Sequence, residues 1–381
     1  MSTKPQHILV LTDWYLPGYK AGGPIRSLAN LIAALQDVQF HVVTRNTDHY
    51  STEPYTNIKP NTWIKHSANC QVFYFDEKSI TLSAIKAMLS ERDYDKVYLN
   101  SLFSPKFTLL PLIAIKQLKL KSKTILAPRG MLKSGALSVK AGKKKAFLTI
   151  SKMIGLYNGI SWHATSEEEV KEIKQHFSKA TNILLAPNIA STIAGKKDKP
   201  LKKASELRLI CIARISAEKG ITEALTYLRD AQLKGNVRCD FYGTIQNEVY
   251  LNECKAMALS VEGVAINFKG EVPPHEIPAL LAQYHFFYMP TLGENFGHAI
   301  AEALNSATPV IISNKTPWRN LQAQNAGWDL PLESNAFVKV LGECLLMDHD
   351  SYQRKSESAY QLARSISLDE KIIEAQYSLF Q

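Results

Sequence analysis

Residues 285–304 read HFFYMPTLGENFGHAIAEAL, and this stretch decides the fold. Residues 285–289 form a short apolar run of the kind found in buried strands. Gly293 and Gly297 then indicate a turn, and from about Phe296 apolar residues recur at helical spacing. The pattern predicts a buried strand, a loop and a helix, which is the repeating unit of a parallel α/β sheet.

Two carboxylates flank the start of that predicted helix. Glu294 lies on the loop and Glu302 lies inside the helix, with seven residues between them. A helix N-terminus presents N–H groups and the positive end of the helix dipole, so it suits a phosphate. The carboxylates on either side could accept hydrogen bonds from hydroxyl groups. The pair has an alternative explanation, because an acid near a helix N-terminus and a surface glutamate can each be mildly stabilising.

The rest of the chain alternates strand-like and helix-like segments, and its 381 residues suit two domains. We predict strands at 8–12, 40–44, 97–100 and 124–127, and helices at 25–35, 82–89 and 110–118. A second series of strands follows at 209–213, 239–242, 265–268, 286–289 and 309–313. This alternation predicts an α/β fold with two Rossmann-like, doubly wound domains that face each other across a cleft. The predicted domains are residues 1–190 and 205–367, joined by a polar linker at 191–204.

Positive charge is concentrated in the first half of the chain. Of the net charge of +10, residues 1–190 hold 25 Lys and Arg against 13 Asp and Glu. Residues 96–166 contain thirteen Lys or Arg and no acid, which implies an anionic partner: phosphates, nucleic acid or a membrane surface. The five cysteines are scattered without CxxC spacing, which favours a reducing compartment over disulfides or zinc. We find neither a signal-peptide pattern nor an apolar run of the roughly 20 residues that cross a bilayer, and expect a cytoplasmic protein.

Two loops after predicted strands carry possible phosphate ligands. Gly22 and Gly23 follow the first strand, and glycines let backbone N–H groups approach a phosphate, although a flexible turn would look the same. Arg214 and Lys219 follow the first strand of the second series and could grip both phosphates of a diphosphate. Alternatively, this is a solvated loop whose charges pair with Glu218.

Several motifs occur in a recognisable order along most of the chain. They are Gly22-Gly23, Pro128-Arg-Gly130, Thr165-Ser-Glu167, Pro187-Asn188, Arg214 with Lys219-Gly220, Gly270, Glu294-Asn-Phe-Gly297 with Glu302, and Pro309-Val310. With them the chain resembles glycosyltransferase family 4, whose members are retaining enzymes of the GT-B fold. The two glutamates with the preceding Arg and Lys-Gly are specific to that family, and the other motifs are weak alone. Residues 128–132 and 316–318 further resemble members from bacterial surface-polysaccharide assembly.

The resemblance implies a nucleotide-sugar donor and a role for each motif residue. Glu294 would bind hydroxyls of the donor sugar, and Glu302 would bind those of the ribose. Arg214 and Lys219 would neutralise the departing diphosphate, as catalytic cations. Backbone groups would contact the sugar and the phosphates at further donor-binding positions: Gly22, Gly23, Gly270, Asn295, Phe296 and Gly297.

The resemblance fails at one position. Many relatives carry a histidine near the donor on the loop where this chain has Arg129. We count Arg129 with Glu294, Arg214 and Lys219 as a candidate catalytic residue that could hold an acceptor or donor phosphate, although it could instead support the fold. His163 is more typical of a core or supporting histidine than of a catalyst. Because no protein nucleophile is evident, we expect front-face transfer in which the leaving phosphate helps to deprotonate the acceptor. No cofactor and no metal are expected, and residues 368–381 should form a helix crossing back onto the first domain, as in relatives.

The acid-free segment has two interpretations. Four lysines, Lys140, Lys143, Lys144 and Lys145, are interleaved with apolar residues. Such a helix could lie on an anionic leaflet and meet a lipid-linked acceptor there. Otherwise it is a solvated basic face over an ordinary core stripe. The first interpretation predicts a protein peripheral to the inner face of the cytoplasmic membrane.

The leading hypothesis is therefore a retaining glycosyltransferase. It would move a sugar from a nucleotide-diphospho-sugar, with UDP-sugars favoured, to a saccharide or polyprenyl-linked acceptor in bacterial surface-polysaccharide biosynthesis. One alternative is a nucleotide-sugar 2-epimerase of GT-B architecture, which needs no acceptor. Another is a basic nucleic-acid-binding protein, although the sequence lacks RNP-type aromatics, zinc spacing and an obvious recognition helix.

Overall fold

The computed structural model describes residues 5–138, 141–191, 198–367 and 369–381. The chain forms two compact units. The first unit contains Met1–Ile189 and Asp369–Gln381, and the second contains Ala190–Leu368. Each unit is built on a parallel or mostly parallel sheet with helices, so the predicted two-domain α/β architecture is confirmed. The boundary at 189/190 lies next to the predicted end of the first domain.

The first unit is an eight-stranded sheet. Its strands are β1 (Gln6–Leu11), β2 (Val38–Arg45), β3 (Trp63–Ser67), β4 (Cys70–Phe75), β5 (Lys96–Leu99), β6 (Thr124–Leu126), β7 (Ser161–Ala164) and β8 (Ile183–Leu185). Its helices up to residue 176 are α1 (Gly23–Ala34), α2 (Leu82–Ser90), α3 (Leu110–Gln117), α4 (Ser134–Ser138), α5 (Ala141–Met153) and α6 (Glu167–His176). The strand order is β3-β4-β2-β1-β5-β6-β7-β8, and within it only β3 is antiparallel to its neighbour.

Burial on both faces explains the apolar runs in this sheet. In β1, Ile8 and Val10 belong to one hydrophobic cluster, whereas Leu9 and Leu11 belong to another. Successive side chains of a strand point to opposite faces, so the two clusters cover the two faces of the sheet. All four side chains are completely buried.

The second unit is a six-stranded parallel sheet. Its strands are β9 (Glu206–Ile212), β10 (Asn236–Tyr242), β11 (Val264–Gly270), β12 (Phe286–Met289), β13 (Val310–Ser313) and β14 (Gly327–Leu330). Its helices are α7 (Ile221–Asp230), α8 (Glu248–Ala258), α9 (Ile277–Leu281), α10 (His298–Asn305), α11 (Ser334–Leu346) and α12 (His349–Ser367). The strand order is β11-β10-β9-β12-β13-β14. The strand, loop and helix predicted from residues 285–304 correspond to β12 and α10, although α10 begins at His298 rather than near Phe296.

The predicted linker is only partly described. Residues 192–197 lie outside the described residues, but Lys202 is only 2% exposed and packs in the second unit. Its ammonium group donates to the carbonyl oxygens of Leu345 and Met347, each at 3.1 Å, where α11 ends. A cation at a helix C-terminus is favourable because it meets unpaired carbonyl groups and the negative end of the dipole. This half of the polar segment is therefore part of the second unit.

The last helix returns to the first unit. Helix α13 (Glu370–Ser378) is followed by Leu379 and Phe380, each 1% exposed. The Phe380 ring lies 5.8 Å from the ring of Phe40 and 5.9 Å from that of Tyr98, measured between centroids. In the described part of the chain, no helix is long and apolar enough to cross a membrane.

Candidate active site

The two glutamates lie where the strand order of the second unit changes direction. Strands β9 and β12 are neighbours, while the chain proceeds outward from them on both sides of the sheet. In open α/β sheets, ligands bind beyond the carboxyl ends of the strands at such a switch point. The loop after β9 carries Arg214 and Lys219, and the loop after β12 carries Glu294. The topology therefore brings together residues about 75 positions apart in the sequence.

An ion pair joins these two loops. The ammonium nitrogen of Lys219 lies 2.6 Å from Oε1 of Glu294, and the two side chains are 15% and 13% exposed. The backbone reinforces the junction, because Leu292 N–H and the Thr291 hydroxyl both donate to the carbonyl oxygen of Glu218, at 3.0 and 3.1 Å. A shielded pair of this kind is stronger than an exposed one, since water screens it less.

Two glycines make this geometry possible. Gly220 has φ +67°, and a Cβ there would lie 2.0 Å from the carbonyl oxygen of Pro290. Gly297 has φ +81° and precedes the first residue of α10. Such positive φ angles are readily adopted only by glycine, and the missing Cβ lets the loops after β9 and β12 touch. Trp318 fixes the second loop further, because its indole N–H donates to the carbonyl oxygen of Phe296 at 2.6 Å.

Helix α10 presents its N-terminus between the two glutamates. No side-chain hydrogen bond from a described residue caps Gly297, and the first turn contains no acid. Asn295 and Phe296 directly precede this end, and Glu302 is half-buried within the helix. The N-terminal N–H groups therefore form a potential phosphate site next to two carboxylates that could bind hydroxyl groups.

Arg214 and Lys219 differ in their present partners. Arg214 pairs with Glu218, four residues on, and both side chains are well exposed, at 38% and 49%. The sequence left open whether the charges of this loop pair with Glu218, and for Arg214 they do. An exposed pair is worth only about 0–1 kcal/mol, so an arriving phosphate could readily replace Glu218. Lys219 instead faces Glu294.

Gly270, the remaining predicted donor-binding residue in the second unit, lies apart from this pair. Gly270 ends β11 with φ +77°, and the space where its Cβ would lie is open. Its carbonyl oxygen accepts from Gly243 N–H at 2.8 Å. Because β10 separates β11 from β9 in the sheet, Gly270 is two strands away from the loop of Lys219.

In the first unit, the paired glycines begin a helix. Gly22 has φ +71° and precedes α1, whose first residue is Gly23. No side-chain hydrogen bond from a described residue caps this end. Arg26 lies in the first turn, and burial lowers the pKa of its guanidinium to about 10. The structure thus gives this loop an open helix N-terminus with an arginine nearby, the geometry that the phosphate hypothesis requires.

Arg129 joins the ends of several strands in the first unit. It has φ +56° and donates to Asn100 Oδ1 at 2.7 Å, Asn188 Oδ1 at 2.7 Å and the Tyr98 hydroxyl at 2.9 Å. A non-glycine residue at positive φ is strained, and these three side-chain bonds help to hold it there. These contacts fit the supporting role that the sequence offered for Arg129, and its catalytic role toward a phosphate stays a prediction.

His163 continues the same buried network. Its Nδ1 lies 2.6 Å from the Tyr98 hydroxyl, and its Nε2 lies 2.8 Å from the carbonyl oxygen of Ala186. Complete burial lowers the pKa of His163 to about 3, so the ring is neutral at physiological pH. Nε2 therefore donates to the carbonyl oxygen, and Nδ1 accepts from Tyr98. This arrangement agrees with the interpretation of His163 as a core histidine.

Sequence reasoning missed Glu169, which fixes the loop of Arg129. Its side chain is fully buried and accepts from Gly130 N–H at 2.6 Å, and from the N–H and hydroxyl of Thr165 at 2.8 and 2.7 Å. Its position three residues after Ser166, the N-cap of α6, matches a capping box and could have revealed it.

The basic segment corresponds to α5, and the structure separates its lysines. Lys140 lies outside the described residues. Lys143 and Lys145 are exposed, whereas Lys144 is half-buried and donates to the carbonyl oxygen of Ala136 at 2.5 Å. Lys144 is thus engaged within the first unit, and only Lys143 and Lys145 of the described three extend into solvent.

Comparison with known proteins agrees with this geometry. Residues 192–328 match the family model described as "Glycosyl transferases group 1". This range contains the Lys219–Glu294 pair and α10. No curated protein sequence matches the chain.

Solved structures match over nearly the whole chain. Sucrose-phosphate synthase (tll1590) from Thermosynechococcus elongatus has a TM-score of 0.72 and 18% identity over 98% of each chain. HepE from Anabaena, in complex with UDP and glucose, has a TM-score of 0.69 and 17% identity over 98% of each chain. WaaG, a glycosyltransferase involved in lipopolysaccharide biosynthesis, has a TM-score of 0.61 and 14% identity over 97% of this chain and 98% of its own. These likenesses show the GT-B fold, and with the family match they support a glycosyltransferase.

Gly220→Ala should destabilise the second unit by about 3 kcal/mol, because the new Cβ collides with the carbonyl oxygen of Pro290 at a positive φ. Gly293→Ala is the matched control, since no atom lies within 4 Å of its Cβ position in the neighbouring loop. Urea unfolding followed by circular dichroism measures both. Equal unfolding midpoints for the two variants would contradict the close approach of the loops.

Proposed function

We propose that the protein is a retaining glycosyltransferase that moves a sugar from a nucleotide-diphospho-sugar to a saccharide acceptor. The observation that carries the proposal is the shielded Lys219–Glu294 pair at the switch point of the second unit. It lies beside the open N-terminus of α10, inside the segment similar to glycosyl transferases group 1. Anion-binding and hydroxyl-binding groups are thus adjacent, as a nucleotide sugar requires.

Each group has a part in binding the donor. Glu294 accepts hydrogen bonds from hydroxyls of the donor sugar, and Glu302 accepts from those of the ribose. The diphosphate lies against the N–H groups at the start of α10, where the helix dipole favours negative charge. Lys219 already balances the charge of Glu294, which lowers the repulsion between this carboxylate and an anionic donor.

The chemical step creates negative charge on the leaving diphosphate. The bond between the anomeric carbon and the phosphate oxygen breaks, and a bond from the acceptor oxygen to the same face of that carbon forms. The acceptor proton passes to the leaving phosphate. Arg214 and Lys219 stabilise the developing charge, and Arg214 becomes available by releasing its exposed partner Glu218. We propose that these two cations do without a metal.

The proposal also covers the identity of the donor base and of the acceptor. HepE, which shares the fold, was solved with UDP, and this favours a UDP-sugar for the present chain. WaaG, which also shares the fold, is involved in lipopolysaccharide biosynthesis. We therefore propose a saccharide or polyprenyl-linked acceptor of bacterial surface-polysaccharide biosynthesis. A nucleotide-sugar 2-epimerase would instead change the donor when no acceptor is present.

Helix α5 supports a peripheral membrane location for such an enzyme. Lys143 and Lys145 are exposed, and so are three apolar residues at or just beyond the end of the helix: Ile150 at 53%, Met153 at 78% and Ile154 at 56%. Lysines next to exposed apolar side chains suit an anionic leaflet, where the lysines attract headgroups and the apolar side chains enter the acyl boundary. We propose that this exposed surface of α5 and its C-terminal end docks on the inner face of the cytoplasmic membrane.

Glu294→Ala should lower the rate of sugar transfer by about 10²–10³ or more, because it removes contacts to the reacting sugar. Glu302→Ala should mainly raise the KM for the donor, by about tenfold or more, because it removes a charged contact to the ribose. The release of nucleotide measures the transfer rate and the KM. NMR of the product, formed with and without acceptor, gives its anomeric configuration. Glu262→Ala, at an exposed site, is the control. Wild-type transfer in both glutamate variants would overturn the site, and an epimerised donor without acceptor would favour the epimerase.

The charge reversals Lys143→Glu and Lys145→Glu together should reduce binding to anionic vesicles by at least about tenfold, because each lysine near the surface contributes about 1 kcal/mol. Lys59→Glu with Lys65→Glu makes the same charge change at exposed sites elsewhere in the first unit and should have little effect. Flotation with phosphatidylglycerol vesicles and neutral vesicles measures the binding. Equal binding of the unmodified protein to both vesicles, or to neither, would refute membrane docking.

A further inference from the structure

Three aromatic rings lie together beyond β1 and β2 in the first unit. The rings of Trp14 and His49 are 4.2 Å apart between centroids, and those of His49 and Tyr50 are 3.8 Å apart. Tyr50 is 70% exposed, although large aromatic side chains usually bury most of their surface. We call Trp14, His49 and Tyr50 the aromatic platform.

A half-buried carboxylate lies next to the platform. Asp13 Oδ1 accepts from Arg45 Nη2 and from the Ser104 hydroxyl, each at 2.9 Å. The guanidinium carbon of Arg45 is also 5.3 Å from the centroid of the Trp14 ring, so Arg45 connects the acid to the platform. Among the described residues, Oδ2 of Asp13 has no hydrogen-bond partner. This oxygen is therefore available to a hydroxyl donor.

These residues occupy the switch point of the first sheet. Strand β1 pairs with β2 on one side and with β5 on the other. Asp13 follows β1 and Ser104 lies on the connection after β5, so the bond between them crosses the point where ligands of such sheets bind. Arg45 ends β2, and its side chain reaches the same place. The Asp13 carboxylate and the platform thus lie at the carboxyl edge of the sheet.

The backbone holds the platform in place. The buried Asp48 carboxylate accepts from the N–H groups of Tyr19 at 2.9 Å and His49 at 2.7 Å, which ties the loop after β1 to the loop after β2. The Thr44 hydroxyl also donates to the carbonyl oxygen of Asp13 at 3.1 Å. These bonds fix the backbone next to Trp14 and His49, so less conformational freedom is lost there when a ligand binds.

We infer that Asp13 and the aromatic platform form a subsite for a neutral pyranose of the acceptor. The C–H groups on one face of a pyranose are apolar and carry a slight positive charge, so they pack on the negative faces of aromatic rings. A ring hydroxyl donates to Asp13 Oδ2, which fixes the orientation. The inference rests on the proposed function, because it identifies the acceptor side of the same reaction.

Saturation-transfer NMR tests the subsite on the full chain without donor. The probes are the methyl pyranosides of glucose, galactose, mannose and N-acetylglucosamine at millimolar concentration. We expect saturation to reach the pyranoside C–H protons in the wild type and in Tyr50→Phe, which keeps the ring. The signal should fall about fivefold or more in Tyr50→Ala and in Trp14→Ala, and Asp13→Asn should change which pyranoside binds best.

Two further variants separate this inference from the proposed function. Glu294→Ala should bind pyranosides as the wild type does, because it lies in the other unit, while Tyr50→Ala should bind UDP as the wild type does. Thermal unfolding midpoints check that each variant is folded. No pyranoside signal with the wild type, or equal signals in wild type and Tyr50→Ala, would overturn the subsite whatever the outcome for Glu294.

Discussion

The contact between Lys219 and Glu294 is the constraint on which the proposed site depends. It joins the loops after β9 and β12 at the switch point of the second sheet, and it requires a glycine at position 220 because the backbones touch. By pairing with this largely shielded carboxylate, Lys219 helps to hold Glu294 in place beside the start of α10. The proposed site would thus be preorganised for a ligand that carries both phosphates and hydroxyls.

Much of the fold could be predicted from the sequence, because strands buried on both faces give continuous apolar runs. Strands β3, β4, β7, β8 and β14 were not predicted, and each of them includes a polar or exposed position. All of them except β4 are also only three to five residues long. Glu294 and Glu302 were correctly assigned to a loop and a helix. The sequence could not decide that Arg129 would be engaged by three residues from distant strand ends.

The candidate acceptor subsite was missed for the same reason, because its residues are brought together only by the fold. Asp13, Arg45 and Ser104 are far apart in the sequence and meet only because β1, β2 and β5 are neighbours in the sheet. In both units, charged side chains from separate loops converge at the switch point of a parallel sheet. In the second unit, we propose that the converging cations and acids bind the donor. In the first unit, we propose that an acid and aromatic rings bind the acceptor.

A double-mutant cycle on donor binding tests the role of the Lys219–Glu294 pair most directly. The ligand is chosen first, as the nucleotide sugar that most raises the thermal unfolding midpoint of the protein in a panel of UDP-, GDP- and ADP-sugars. Calorimetry then measures its affinity for the wild type, for Lys219→Met, for Glu294→Gln and for the double variant. We expect weaker donor binding in each single variant. The loss of binding free energy in the double variant should differ from the sum of the two single losses by about 1 kcal/mol or more. Wild-type affinity in all three variants, or losses that simply add, would contradict this role of the pair.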